Sequence, residues 1–125
     1  TTNDDITQDA ATPVEFGGTA TFDVGTGDVC LEFGDNTADT INDNDLNIVN
    51  IVNATTAEIV DSNDLTVNDA NLTDRIILET EFGDMTLTGN IVSPNGLLLL
   101  SGGSINQTGG TITTPEVLMK NGVFD

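Results

Sequence analysis

Carboxylates are the residues of this chain best placed to do chemistry. Asp28, Asp45, Asp64 and Asp84 recur in one short phrase: Gly27-Asp28-Val29, Asn44-Asp45-Leu46, Asn63-Asp64-Leu65 and Gly83-Asp84-Met85. The steps between them are 17, 19 and 20 residues. If such a phrase marks a corner of a repeating fold, the four carboxylates stack in one column. Charges about 4.8 Å apart repel by roughly 0.9 kcal/mol even in bulk water. A hard cation such as Ca²⁺ prefers oxygen ligands and would relieve that repulsion. The calcium-binding nonapeptide repeat is absent, so the four stand as candidate metal ligands on spacing alone. Solvated corners screened by salt are the alternative.

Other chemistries lack their residues. The chain has no His and one Cys, which removes Ser–His and Cys–His nucleophile systems and the usual zinc sites. A phosphate loop needs a following helix and usually a Lys, and neither is apparent. Arg75 and Lys120 are too few to handle an acidic polysaccharide substrate. Paired carboxylates could in principle cleave a glycoside, and Glu79 with Glu81 is such a pair, but in so acidic a chain the reading is solvated surface. The expectation is therefore a protein that is not an enzyme and takes no cofactor, calcium excepted.

The charge balance sets the partners. Two basic residues face 21 acidic ones in 125 residues, a formal charge of −19. Nucleic acid and anionic membrane surfaces are disfavoured. The longest apolar run, Leu97–Leu100, is far short of the roughly 18 residues a membrane span needs. Sugar binding usually wants an aromatic platform, and Trp and Tyr are missing. A glycan- or cell-surface-binding module stays open as the alternative. Asn53, Asn71 and Asn106 begin glycosylation triplets of a kind that arises easily in an Asn- and Thr-rich chain.

The elements that must hold these residues are short strands. Alternating apolar and polar residues follow each phrase, as in Leu65-Thr66-Val67 and Met85-Thr86-Leu87, and Gly, Asn and Thr abound. The phrase recurs more weakly at Gly103-Ser104-Ile105 and Gly122-Val123-Phe124, giving six anchors. Self-similarity at about twenty residues predicts a solenoid: one domain over 1–125, all-β, a right-handed parallel β-helix of about six rungs with three short strands each. Gly and Asn before each anchor suit a left-handed corner. Stacking then predicts inward columns of Val29, Leu46, Leu65 and Met85; of Leu31, Ile48, Val67 and Leu87; and of Phe22, Leu78 and Leu98. In the rung from Asp45, Ile59 rather than Glu58 is expected to face in. Cys30 falls with Asn47, Thr66 and Thr86 on an outward column, as a neutral replacement for Thr or a crosslinking thiol. Asp35 to Asp39 reads as a protruding loop. A β-sandwich is the rival architecture.

The phrases Gly27-Asp28-Val29, Asp64-Leu65-Thr66-Val67 and Ser104-Ile105-Asn106-Gln107-Thr108-Gly109-Gly110 resemble repeats of the filamentous-haemagglutinin-like adhesins and related giant β-helical bacterial exoproteins. The resemblance implies secretion, a right-handed β-helix, an extracellular or cell-surface location, and a role in a fibre, stalk or adhesin. It brings no catalytic residues. The family's amino-terminal secretion domain is not visible, and a chain opening on Thr1 reads as a processed product or a piece of something longer.

The ends complete the expectation. A β-helix ends in strands whose backbone groups lack partners, and a polar cap normally covers them. No capping helix is evident, and the last rung is apolar. Ile6 at one end and Ile112, Val117, Met119, Val123 and Phe124 at the other are the expected assembly residues. Ile6 to Ala11 also resembles Ile105 to Gly110, close to five rungs apart. The expected partner is therefore the chain itself, stacked head-to-tail or continued covalently.

Overall fold

The computed structural model describes residues 3–9, 12–32 and 44–121. Among these residues every regular element is a strand, and there is no helix. The strands are β1 (Ile6–Thr7), β2 (Glu15–Asp23), β3 (Val29–Leu31), β4 (Asp45–Ala54), β5 (Ala57–Asp61), β6 (Leu65–Leu72) and β7 (Ile76–Thr80). They continue as β8 (Met85–Leu87), β9 (Ile91–Val92), β10 (Leu97–Ser101), β11 (Ile105–Gln107), β12 (Ile112–Thr113) and β13 (Val117–Asn121). Each pairing is parallel.

The chain winds as a β-solenoid of about five turns. Sheet A stacks β1, β3, β5, β7, β10 and β13, and sheet B stacks β2, β4, β6, β8 and β11. In the upper turns sheet B breaks into two pieces per rung, with β9 on β6 and β12 on β9. The expected three strands per rung thus hold for the upper turns. Lower down, the second and third merge into the long strands β2, β4 and β6, whose ladders carry register shifts. Such bulges let one long strand bend where the upper rungs use a corner.

Alternation explains the core. In β5, β7 and β10 every second residue is buried: Ala57 and Ile59, Ile76 and Leu78, Leu97 and Leu99. Parallel strands in step put inward residues above inward residues. Sheet A therefore stacks Ile6, Val29, Ala57, Ile76, Leu97 and Val117. Its second inward column is Leu31, Ile59, Leu78, Leu99 and Met119. Sheet B answers with Leu65, Met85 and Ile105, with Val49, Val67 and Leu87, and with Phe22, Ile51, Ala70, Ile91 and Ile112.

Three sequence expectations need correction. Val29 and Leu31 lie in sheet A, so they do not stack with Leu46, Leu65 and Met85 or with Val67 and Leu87. Val49 rather than Ile48 takes the inward place beside Val67. Leu99, not Leu98, sits inward above Leu78, while Phe22 pairs with Ile51 in the other sheet. Ile59 does face inward and Glu58 outward, as expected. The stretch from Asp35 to Asp39, and Val123 and Phe124, lie outside the described residues.

The glycines before the anchors are there for space. Among the described residues the positive-φ glycines are Gly25, Gly96 and Gly110, and none of them precedes an anchor. A Cβ on Gly83 would overlap the Asn63 backbone of the rung below, and one on Gly103 would overlap Asp84 and the Gly83 carbonyl. Stacked corners approach too closely for a side chain, which is the use of glycine here.

Candidate functional site

The acidic phrase builds corners by one repeated bond. Asp64 Oδ1 accepts the Asp84 N–H at 2.8 Å, and Asp84 Oδ1 accepts the Ser104 N–H at 2.6 Å. Each carboxylate thus receives the backbone N–H one rung further on, and a charge-assisted bond of this kind stabilises the anion. Asp45 instead receives the Asn63 side-chain amide at 3.1 Å. Asp28 belongs to a different corner, the entry to sheet A. There Asp5 Oδ1 accepts the Asp28 N–H at 2.9 Å and Asp28 Oδ1 accepts the Thr56 N–H at 2.9 Å. The four candidate metal ligands therefore do not form one column. Asp28 stands apart from Asp45, Asp64 and Asp84. Among the described residues no group of three or more His, Cys, Asp or Glu is set to hold a metal ion.

A third ladder lies beyond the sequence expectations. Asn50 Oδ1 accepts from Asp69 N at 3.3 Å, Asp69 from Asn90 N at 2.8 Å, and Asn90 from Thr111 N at 3.0 Å. Its signal in the sequence is an Asn or Asp recurring at separations of 19 and 21. No apolar alternation follows these residues as regularly as it follows the anchors, so they do not stand out.

Inside the corner that leaves sheet A runs a buried polar column of Asp61, Thr80 and Ser101. Thr80 Oγ1 donates to Ser101 Oγ at 2.8 Å, and Ser101 Oγ lies 2.9 Å from the Gly83 carbonyl. Asp61 has no exposed surface. Its Oδ1 accepts the Leu46 N–H at 2.5 Å and its Oδ2 the Asn63 N–H at 3.3 Å. Burial pushes its pKa up to about 7, although the two backbone N–H groups oppose that rise. Sequence patterning misses Asp61 because it reads as one more acid in an acidic chain. Its place at an inward position of β5 is what distinguishes it.

The remaining candidates fall as follows. Cys30 is outward, as expected, but it is half-buried, and its neighbours in the ladder are Thr7 and Glu58, not Asn47. Burial, then the nearby Glu32, Asp28, Glu58 and Asp5, raise its pKa, so the thiolate is disfavoured. Glu79 and Glu81 are not both solvated surface: Glu81 is buried, and burial raises the pKa of Glu79. The side-chain amides of Asn53 and Asn71 already donate, to Asp23 and Asn53 respectively. Asn106 is exposed.

The two ends of the stack expose residues that point along the core. Val117 and Met119 occupy inward register above Leu97 and Leu99, yet are 40% and 51% exposed. Ile105 and Ile112 close the same end of sheet B and are half-buried. At the opposite end Ile6, Val14, Phe16, Phe22 and Leu31 line a cleft of about 410 Å³. The likeness between Ile6 and Ile105 does not mark equivalent places, because Ile6 lies in sheet A and Ile105 in sheet B. The sheet A counterpart of Ile6 in the last strand is Val117.

The arrangement defines the class as a parallel β-solenoid with amide- and carboxylate-capped corners. No family model, curated protein or solved structure matches the chain.

Proposed function

We propose that this chain is a structural segment of an extracellular surface fibre or adhesin, extended by stacking further rungs on its open ends. The observation that carries this reading is the exposure of Val117 and Met119 at positions that are buried in every rung of sheet A from β3 to β10. A further rung would cover them as Leu97 and Leu99 are covered. Ladder continuity sets the register of a second copy in sheet A, where Ile6 would lie over Val117. Edge strands with free backbone groups favour such addition, and a heterologous contact of this kind grows as a filament unless it closes. The acidic sides suit solubility in a salty exterior.

Light scattering and electron microscopy of the purified chain test the reading. Fibres with strands perpendicular to their long axis are expected. A monodisperse monomer at high concentration and moderate salt rules out self-stacking of this chain. Exposed Phe16 and Phe82, 44% and 40% accessible, favour a second reading in which the chain binds glycans through phenyl faces. A glycan array with no signal above background removes it.

A further inference from the structure

Outward positions on a solenoid normally meet water, and most here are Thr, Asn, Asp or Glu. Sheet A departs from that over its last three rungs. Register stacks Ile77, Leu98 and Leu118 on one outward column and sets Leu100 on the next. Leu118 is 61% exposed. Ile77, Leu98 and Leu118 line an outer cleft of about 210 Å³ together with Arg75 and Glu116. The inward core does not account for these leucines, since Leu97 and Leu99 already supply it from the same strand.

Both cations of the chain belong to this face. Arg75 lines the cleft, and Lys120 follows Leu100 on the second outward column. Acids share the same columns: Glu58 pairs with Ile77, and Glu79 with Leu100. The face therefore carries an apolar strip with charges of both signs. Every other face lacks a Lys or Arg. Two chains of formal charge −19 repel wherever they meet with no cation between them. Arg75 lies near Glu58 of its own chain and opposes the rise of that acid's pKa, and Lys120 stands on the same outward column as Glu79, so a second copy meets less repulsion here than on the other faces.

We propose that the outer face of sheet A is a lateral docking surface for the same face of a second copy of this chain. The contact is isologous, so each copy supplies both the apolar strip and both signs of charge. Apolar burial drives it, and the charges orient it and exclude the other faces. It is independent of end-to-end stacking, since it uses the side of the solenoid and not its ends.

The test separates side from end. Met119→Glu puts a charge on the open end and leaves the outer face intact. Sedimentation of that variant is expected to give twice the monomer mass. The paired fraction should grow as salt rises toward about 1 M, where the screening length is about 3 Å and the net repulsion is quenched. Adding Leu98→Glu, or separately Leu118→Glu at the most exposed of the leucines, is expected to return the mass to monomer. Thr86→Glu on the outer face of sheet B should leave the pair intact. Circular dichroism confirms that each variant keeps its strands. A Met119→Glu chain that stays monomeric at high salt and high concentration overturns the proposal. So does a pair that survives both leucine replacements. Absence of fibres from the native chain, with the pair still formed, sinks end-to-end stacking and leaves this contact standing.

Discussion

Asp61 and Gly102 show how single residues fix the corners. Asp61 titrates at about 7 in the fold and near 3.9 in an unfolded chain. Between those values the folded protein holds a proton that the unfolded one has lost. Stability from this group therefore falls as pH rises from about 4 to about 7 and is flat above. Asp61→Asn keeps an oxygen to accept the Leu46 N–H and carries no charge. Its melting temperature should exceed that of the native chain at about pH 8 and approach it at about pH 4, in paired thermal melts. Gly102 supplies a contrasting case. A Cβ there would overlap the Glu81 carbonyl of the rung below, whereas one on Gly17 meets nothing within 4 Å. Gly102→Ala is expected to cost about 1–3 kcal/mol, in the range of overpacking. Gly17→Ala should be neutral or slightly stabilising, as the unfolded chain loses freedom. Denaturant titrations of the two variants check the difference.

At the scale of strands, a one-residue register decides everything about β10. Leu99 is fully buried and Leu98 faces out. Leu99→Ala should cost about 2–5 kcal/mol. Leu98→Ala, in the unpaired chain, should stay within about 0.5–1 kcal/mol, as surface changes do. A run of four leucines carries no alternation, so the sequence alone does not say which two point inward, and the expectation of an inward Leu98 fails for that reason. The existence of strands, their parallel stacking and the period near twenty are legible, because Leu65-Thr66-Val67 and Met85-Thr86-Leu87 repeat the same alternation. The displacement of Asp28 from the expected corner has another cause. Asp28, Asp64 and Asp84 all accept a backbone N–H from the rung above. Gly or Asn, then Asp, then an apolar residue therefore marks a corner without saying which one. Asp61 stays hidden in the sequence because burial, not residue type, makes it unusual.

For the molecule as a whole, net charge governs how the solution acts on the fold. A formal charge of −19 favours expansion and destabilises the compact state. Added sodium chloride should raise the melting temperature by screening. A calcium chelator at constant ionic strength should leave it unchanged, because Oδ1 of Asp28, Asp64 and Asp84 each accepts a backbone N–H and, among the described residues, no group of three or more His, Cys, Asp or Glu is set to hold a metal ion. A drop in melting temperature on chelation would show that a cation holds the corners after all. The rung ladder has one further consequence. Each strand of sheet A hydrogen-bonds only to the rung before and the rung after it, so the chain can order itself progressively, each finished rung serving as the template for the next. Such a body has no single unfolding event at its rims. Hydrogen exchange should show amides of β5, β7 and β6 opening last, and β1 and β13 fraying first, with protection rising toward the middle of the stack.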